Sequence, residues 1–223
     1  MSRSIRAALV AASLLLYSAS LHAQDPAPPP LLDEPIGPFV IDARGTLAKF
    51  KQDAAIAALL DVETTDLPTR GLGLVAGAHV YPVRKRNFAF GLGGEILLRA
   101  RASRTIPPAI EDGPDGPTVV THMTAVSPQV SLNFGRRNGW SYLSGGLGWA
   151  NFTTELQDDP FEEAESSSRA INYGGGARWF AKKHLAFSLD LRFYSIGAQE
   201  ATTLRPAFAK TRIMVFSAGV GFR

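Results

Sequence analysis

The sequence has 223 residues, of which 45% are hydrophobic, 9% aromatic and 19% charged, with 21 Gly, 15 Pro and no Cys. This composition excludes a coiled coil, a disulfide scaffold and a wholly disordered chain, and the length suits a single domain. The formal net charge is +3, but Arg3 and Arg6 lie in a segment read below as removed, which leaves 21 Lys+Arg against 20 Asp+Glu. No nucleic-acid partner is expected of so balanced a chain.

Residues 1–23 carry Arg3 and Arg6, then the apolar run Ala7 to Leu16, then small residues up to Ala23. That order is the order of a secretory signal peptide, with cleavage expected after Ala23. No Cys follows the run, so a lipoprotein anchor is excluded, and an exported chain without Cys must be held by burial and backbone pairing. Residues 24–37 hold five of the prolines and read as a short periplasmic tether. Residues 38–223 form the domain proper.

From Phe39 onward the pattern has period two, the signature of strands with two unlike faces. The first segment, Phe39–Phe50, sets Phe39, Ile41 and Leu47 against Asp42, Arg44 and Thr46. The second, Gly71–Val83, sets Leu72, Leu74 and Val80 against His79 and Tyr81. In the third, Phe88–Ala102, Leu92, Ile96 and Leu98 oppose Glu95, Arg99 and Arg101; in the fourth, Thr121–Phe134, Val126, Val130 and Leu132 oppose Ser127, Gln129 and Asn133. Glycines blur the fifth, Trp140–Thr153, although Leu143, Leu147 and Trp149 share a side. The sixth, Ala170–Ala181, sets Ile171, Tyr173 and Trp179 against Asn172 and Arg178. The seventh, Ala186–Ile196, sets Phe187, Leu189 and Leu191 against Ser188, Asp190 and Arg192. The eighth, Thr211–Phe222, sets Phe216, Val220 and Phe222 against Ser217 and Gly219.

Most of these segments reach the about 9–11 tilted residues that a strand needs to cross a bilayer. Short connections (Lys85–Asn87, Gly135–Gly139, Lys182–His184) alternate with long ones (Lys51–Arg70, Thr105–Val120, Glu155–Arg169, Gly197–Lys210). The expected fold is all-β: an eight-stranded antiparallel up-and-down barrel with two unlike ends. Asp53 in the first long connection is placed to cap a short helix.

Alternation alone does not separate a membrane barrel from a soluble, ligand-binding one. Three features favour apolar residues outward. Aromatic residues flank the short turns (Tyr81, Phe88, Phe134, Trp140, Trp179, Phe187 and Phe222), as an interfacial girdle would. The polar face carries both signs, with Asp42, Glu95 and Asp190 beside Arg44, Arg99, Arg101, Arg178 and Arg192, which suits pairing inside a closed lumen. Finally, an export signal joined to closed strands fits a bilayer spanned without helices, because closure pairs every backbone group.

The run from Asn172 to Phe180, with Gly174, Gly175 and Gly176, the tight turn after it, and the Asp190-Leu-Arg192 strand from Ala186 to Tyr194 resemble the small eight-stranded outer-membrane β-barrel family, the OmpA-like barrels of Gram-negative bacteria. The closing run from Phe216 to Phe222 looks like that family's assembly signal, with the departure that Arg223 follows the aromatic residue. The resemblance covers about residues 38–223. It implies a monomer in the Gram-negative outer membrane, with lipopolysaccharide and other outer-membrane lipid as its surroundings and the barrel-assembly machinery as a partner. No peptidoglycan-binding domain follows the eighth strand, so that anchoring role of larger relatives does not carry over.

Candidate chemistry is sparse. The glycine clusters at Gly91–Gly94, Gly145–Gly148 and Gly174–Gly176 lack a following Gly-Lys-Ser/Thr and are read as points of curvature and close packing. His79, His122 and His184 have no zinc-ligand spacing. His122 begins the fourth segment at the long-loop end with Thr124 on the same face, which raises an outer-leaflet lipid hydrolase as an alternative; a neighbouring Ser and an orienting acid are not evident. A narrow solute channel is the other alternative, opposed by an interior only about wide enough for its own side chains. The long loops are acidic in two places (Glu111 with Asp115; Glu155, Asp158, Asp159, Glu162, Glu163 and Glu165) and the short turns are basic (Arg84–Arg86, Arg136-Arg137, Lys182-Lys183), and the acidic rim is a candidate collector of divalent cations. The expected role is structural or surface-interacting, with the lumen plugged by ion pairs, no catalysis and no cofactor.

Overall fold

The computed structural model describes residues 35–108, 110, 113–160, 167–201 and 207–223. The expected signal peptide, most of the Pro-rich segment, and Glu111, Glu162, Glu163 and Glu165 lie outside them.

Eight strands follow one another: β1 (Phe39–Lys49), β2 (Arg70–Lys85), β3 (Phe88–Thr105), β4 (Thr118–Arg136), β5 (Gly139–Leu156), β6 (Ser168–Phe180), β7 (Leu185–Ile196) and β8 (Thr211–Phe222). Each pairs antiparallel with the next, and β1 pairs with β8 from Ile41↔Phe222 to Lys49↔Met214, so the sheet is a closed barrel. Closure leaves no sheet edge in need of a partner. The strands β3, β4 and β5 run past the ends that alternation marks, to 18, 19 and 18 residues, and carry the sheet above the other strands at the long-loop end. There the first long connection folds back through α1 (Ala54–Leu59), whose Asp53 cap accepts from the Ala55 amide at 2.9 Å. Ala57, Leu60 and Leu67 pack on Val119 beside the raised strands.

The faces divide as the period-two pattern requires. Alternate β1 residues Val40, Asp42, Arg44, Thr46 and Ala48 are buried, while Phe39, Ile41 and Leu47 are exposed. Exposed apolar residues continue round the outside, among them Leu72 at 72%, Leu147 at 69% and Leu143 at 63% exposure. These values are far above what a solvated barrel with an oily centre would show.

Two bulges break the alternation. On β3, the step from Leu97 to Ala100 spans three residues where β4 advances two, from Ala125 to Met123, and β2 sees the same extra residue between Leu74↔Arg99 and Val75↔Leu97. One residue too many on a strand turns two consecutive side chains to one face. Leu98 and Arg99 both point outward, and Arg101 follows them. The expectation that Arg99 and Arg101 face the lumen is thereby corrected. On β2, register shifts again between Val80 and Val83, at Pro82, which has no backbone donor to lose.

Candidate functional site: the closed lumen

The interior is filled in three layers. At the short-turn end Ile36, Val40, Tyr81, Ala89, Trp140 and Tyr142 form an apolar and aromatic cluster, with Phe180 against it. Tyr81 and Trp140, expected in the outer girdle, are 2% and 3% exposed and meet edge to face at 6.0 Å. Strand parity overrides their nearness to a turn: Tyr81 shares its face with His79, and Trp140 shares its face with Tyr142. Ile36, expected in the tether, is fully buried beneath them, and the Arg84 guanidinium donates to its carbonyl. The remaining girdle residues do lie on the outside, with Phe88 against Phe134 at 5.7 Å, Trp179 against Phe187 at 6.4 Å, and Phe222 stacked on His184 at 5.6 Å.

The middle layer is ionic. Arg44 is its hub: Nε lies 2.8 Å from Asp42, Nη1 lies 3.4 Å from Asp190, and Nη2 pairs with Glu95. Arg178 pairs with Asp42 from β6. Arg192 reaches Glu95 at 2.9 Å and Asp190 at 3.1 Å, and donates to Ser144 Oγ at 2.8 Å. Gln129 donates to Glu95 at 2.6 Å, the Tyr142 hydroxyl donates to Asp190 at 2.7 Å, and the Arg178 guanidinium lies 4.4 Å above the Tyr142 ring. Three carboxylates meet three guanidiniums, so the layer carries no net formal charge. Six of the eight expected network residues are brought together here. Gln129, Ser144 and Tyr142 complete the layer; their inward parity was readable, but their partners depend on which strands face each other across the lumen.

Toward the long-loop end a third layer is apolar, built from Phe50, Val75, Leu97, Met123, Phe152 and Val215 among others. Alternation placed several of these inward without marking them as a plug. The ionic layer thus lies between two mainly apolar ones.

None of the histidines is hydrogen-bonded or ion-paired to this network among the described residues, although His79 stands within electrostatic reach of Arg178 and Asp42. His79 is buried in the lumen, and His184 sits in a turn with Nδ1 2.8 Å from the Arg223 carbonyl. His122 lies on the outer surface in a groove with Arg99, Thr124, Trp149, Asn151 and Ser167, and the Glu155 carboxylate stands 3.8 Å from its Nδ1. An acid is therefore near His122 after all, contrary to the sequence reading. Among the described residues no three His, Asp or Glu side chains are arranged to hold a metal ion.

No family model matches the chain, and neither does any curated protein. Solved structures do. The chain has the fold of the small eight-stranded outer-membrane β-barrels. Neisserial surface protein A is similar at 15% identity with a TM-score of 0.50, over 82% of this chain and 96% of that one. The outer membrane protein OprG from Pseudomonas aeruginosa is similar at 12% identity and the same TM-score of 0.50, over 85% of this chain and 96% of that one. Identities this low speak for architecture, and the roles of individual residues rest on the chain's own geometry.

Proposed function

We propose that this protein is a monomeric outer-membrane barrel of a Gram-negative envelope, exported by its N-terminal signal, with a structural or surface-interaction role and no catalysis or conduction of its own. The observation that carries this reading is the filled interior: a neutral layer of three acids and three arginines held between two apolar layers, inside a cylinder whose outer waist is leucine, valine and isoleucine. Water and solutes would need to part both the ion pairs and the carbon caps. An exterior of this kind is stable against lipid and costly against water. Insertion through the barrel-assembly machinery by β8 and contact with lipopolysaccharide belong to the same proposal. Planar-bilayer recording tests the plug: the expected trace is silent, and stable single-channel steps overturn it. Cell fractionation tests location, since recovery in the soluble periplasm contradicts the membrane assignment.

One observation favours a second reading. His122, Thr124 and Ser167 line one outer groove at the long-loop end and Glu155 stands 3.8 Å from His122, the acid, base and hydroxyl types that acyl transfer uses. Mass analysis of outer-leaflet lipid with and without the protein decides it. A deacylated product that disappears in His122→Ala would establish a hydrolase, and an unchanged lipid profile removes it.

A further inference from the structure

The strands contain four acidic residues, Asp42, Glu95, Glu155 and Asp190, and all four are buried. Their arginines and lysines divide differently. Arg44, Arg178 and Arg192 are buried, and the rest are exposed. Five of the exposed ones form one arc across four adjacent strands at the long-loop end of the outer wall: Arg212 on β8, Lys49 on β1, Arg70 on β2, and Arg101 with Arg99 on β3.

Register places them side by side. Lys49 stands directly opposite Arg70, and on its other flank opposite Met214, two residues from Arg212. Arg101 pairs with Leu72, two residues from Arg70, and Arg99 pairs with Leu74. Like charges directly opposed across a sheet are destabilising, and the ion pairs among the described residues leave these five out. The β3 bulge makes this worse by turning outward two arginines that plain alternation would have sent into the lumen. Immediately toward the barrel's waist the same strands present Leu47, Leu72, Leu74, Leu98 and Phe216, all exposed. A surface with crowded cations above uncovered carbon matches one chemistry, an anion joined to acyl chains.

We propose that this arc binds the phosphate groups of an outer-leaflet lipid carrying more than one phosphate, whose acyl chains lie along the leucines below. Guanidinium groups suit the task, since their fork of N–H groups donates to two phosphate oxygens at a time. Five cations without an acid among them call for a multivalent anion. A single phosphodiester would leave most of the arc repelling itself. The proposal rests on the membrane assignment above.

The test uses the full chain refolded into nanodiscs. Insertion into phosphatidylcholine discs, read by the heat-dependent electrophoretic shift of a folded barrel, checks the membrane assignment by itself; failure there is a failure of that reading. Native mass spectrometry of the ejected barrel then reads lipid retained from discs doped with diphosphorylated lipid A, its dephosphorylated form or phosphatidylglycerol. Selective retention of the diphosphorylated lipid is expected, weakened about tenfold in the Arg99→Gln/Arg101→Gln double variant, as loss of two charge-assisted contacts implies. Arg99→Lys/Arg101→Lys should keep most of it. Equal retention of all three lipids by an inserted barrel overturns the proposal. So does displacement by millimolar inorganic phosphate, which would make the arc a site for free phosphate and not for lipid.

Discussion

Arginine occurs in two settings on this barrel. Arg44, Arg178 and Arg192 are 1–3% exposed inside the lumen and surrounded by carboxylates. Arg99 and Arg101 stand on the outer wall with leucines as neighbours and no acid bonded to them. The first group is held by the protein and is there to close it. The second is left unanswered by the protein and points to an anion from outside. Burial of a charge is expensive, so the inner set has no tolerance for a missing partner, whereas the outer set lies near the interface where a cation on a barrel wall costs little.

The sharpest way to break this contrast is at the hub. Arg44→Ala leaves three buried carboxylates short of a cation, and removal of one partner from a buried network costs about 3–5 kcal/mol. Urea titration of the refolded barrel in vesicles, followed by tryptophan emission, should show a large fall in midpoint. A change below about 1 kcal/mol would mean that the layer is hydrated and not a closed network.

Adding an arginine at the wrong place is the complementary experiment. Leu191 is exposed on the outer wall halfway along β7, between the buried Asp190 and Arg192. Leu191→Arg should cost about 2–4 kcal/mol in a bilayer. In detergent micelles, where water reaches the site more easily, the penalty should shrink. Equal behaviour in both would contradict a lipid-facing waist.

Packing gives a third contrast. Gly91 faces inward, and a side chain there would collide with Ser131 Oγ and begin 2.9 Å from the Tyr81 ring. Gly91→Val should therefore destabilise by about 1–3 kcal/mol through overpacking, while Ala43→Val, outward on β1, should be tolerated. The same denaturation series measures both, and equal losses would show that the lumen yields as easily as the outer wall.

How far the sequence could be read follows from the same local geometry. Strands β1 and β7 alternate without interruption, so Asp42, Arg44, Asp190 and Arg192 were legible as lumen residues from position alone. Strand β3 alternates just as cleanly on paper, yet one extra residue near Leu98 reverses its upper half. Nothing in Leu97-Leu98-Arg99 announces a bulge, because one formed without a positive φ demands neither glycine nor proline. Tyr81 and Trp140 failed for another reason: nearness to a turn suggested the interface, while parity, which decides the face, was already against it. The apolar third layer was hidden because alanine, valine and methionine carry no sign of which side they serve. The cationic arc was hidden for another reason: plain alternation sends Arg99 and Arg101 into the lumen, and Arg212 comes beside Lys49 only when β8 closes on β1.

Arg99 supplies the smallest and most discriminating effect. If the outer arginines served stability, Arg99→Leu would weaken the fold as lumen substitutions do. Near the interface an arginine costs a barrel wall about 0–1 kcal/mol, so the leucine should leave the fold unchanged or raise its stability by that amount in phosphatidylcholine. In membranes containing diphosphorylated lipid the advantage should vanish or reverse, because the arginine then has its anion. Urea midpoints of the two proteins in the two lipids make a four-point comparison. A reversal that tracks the lipid phosphate assigns Arg99 to the surroundings of the barrel. A uniform loss in both lipids would instead place it among the residues that hold the barrel together, and the division between inner and outer arginines would no longer stand.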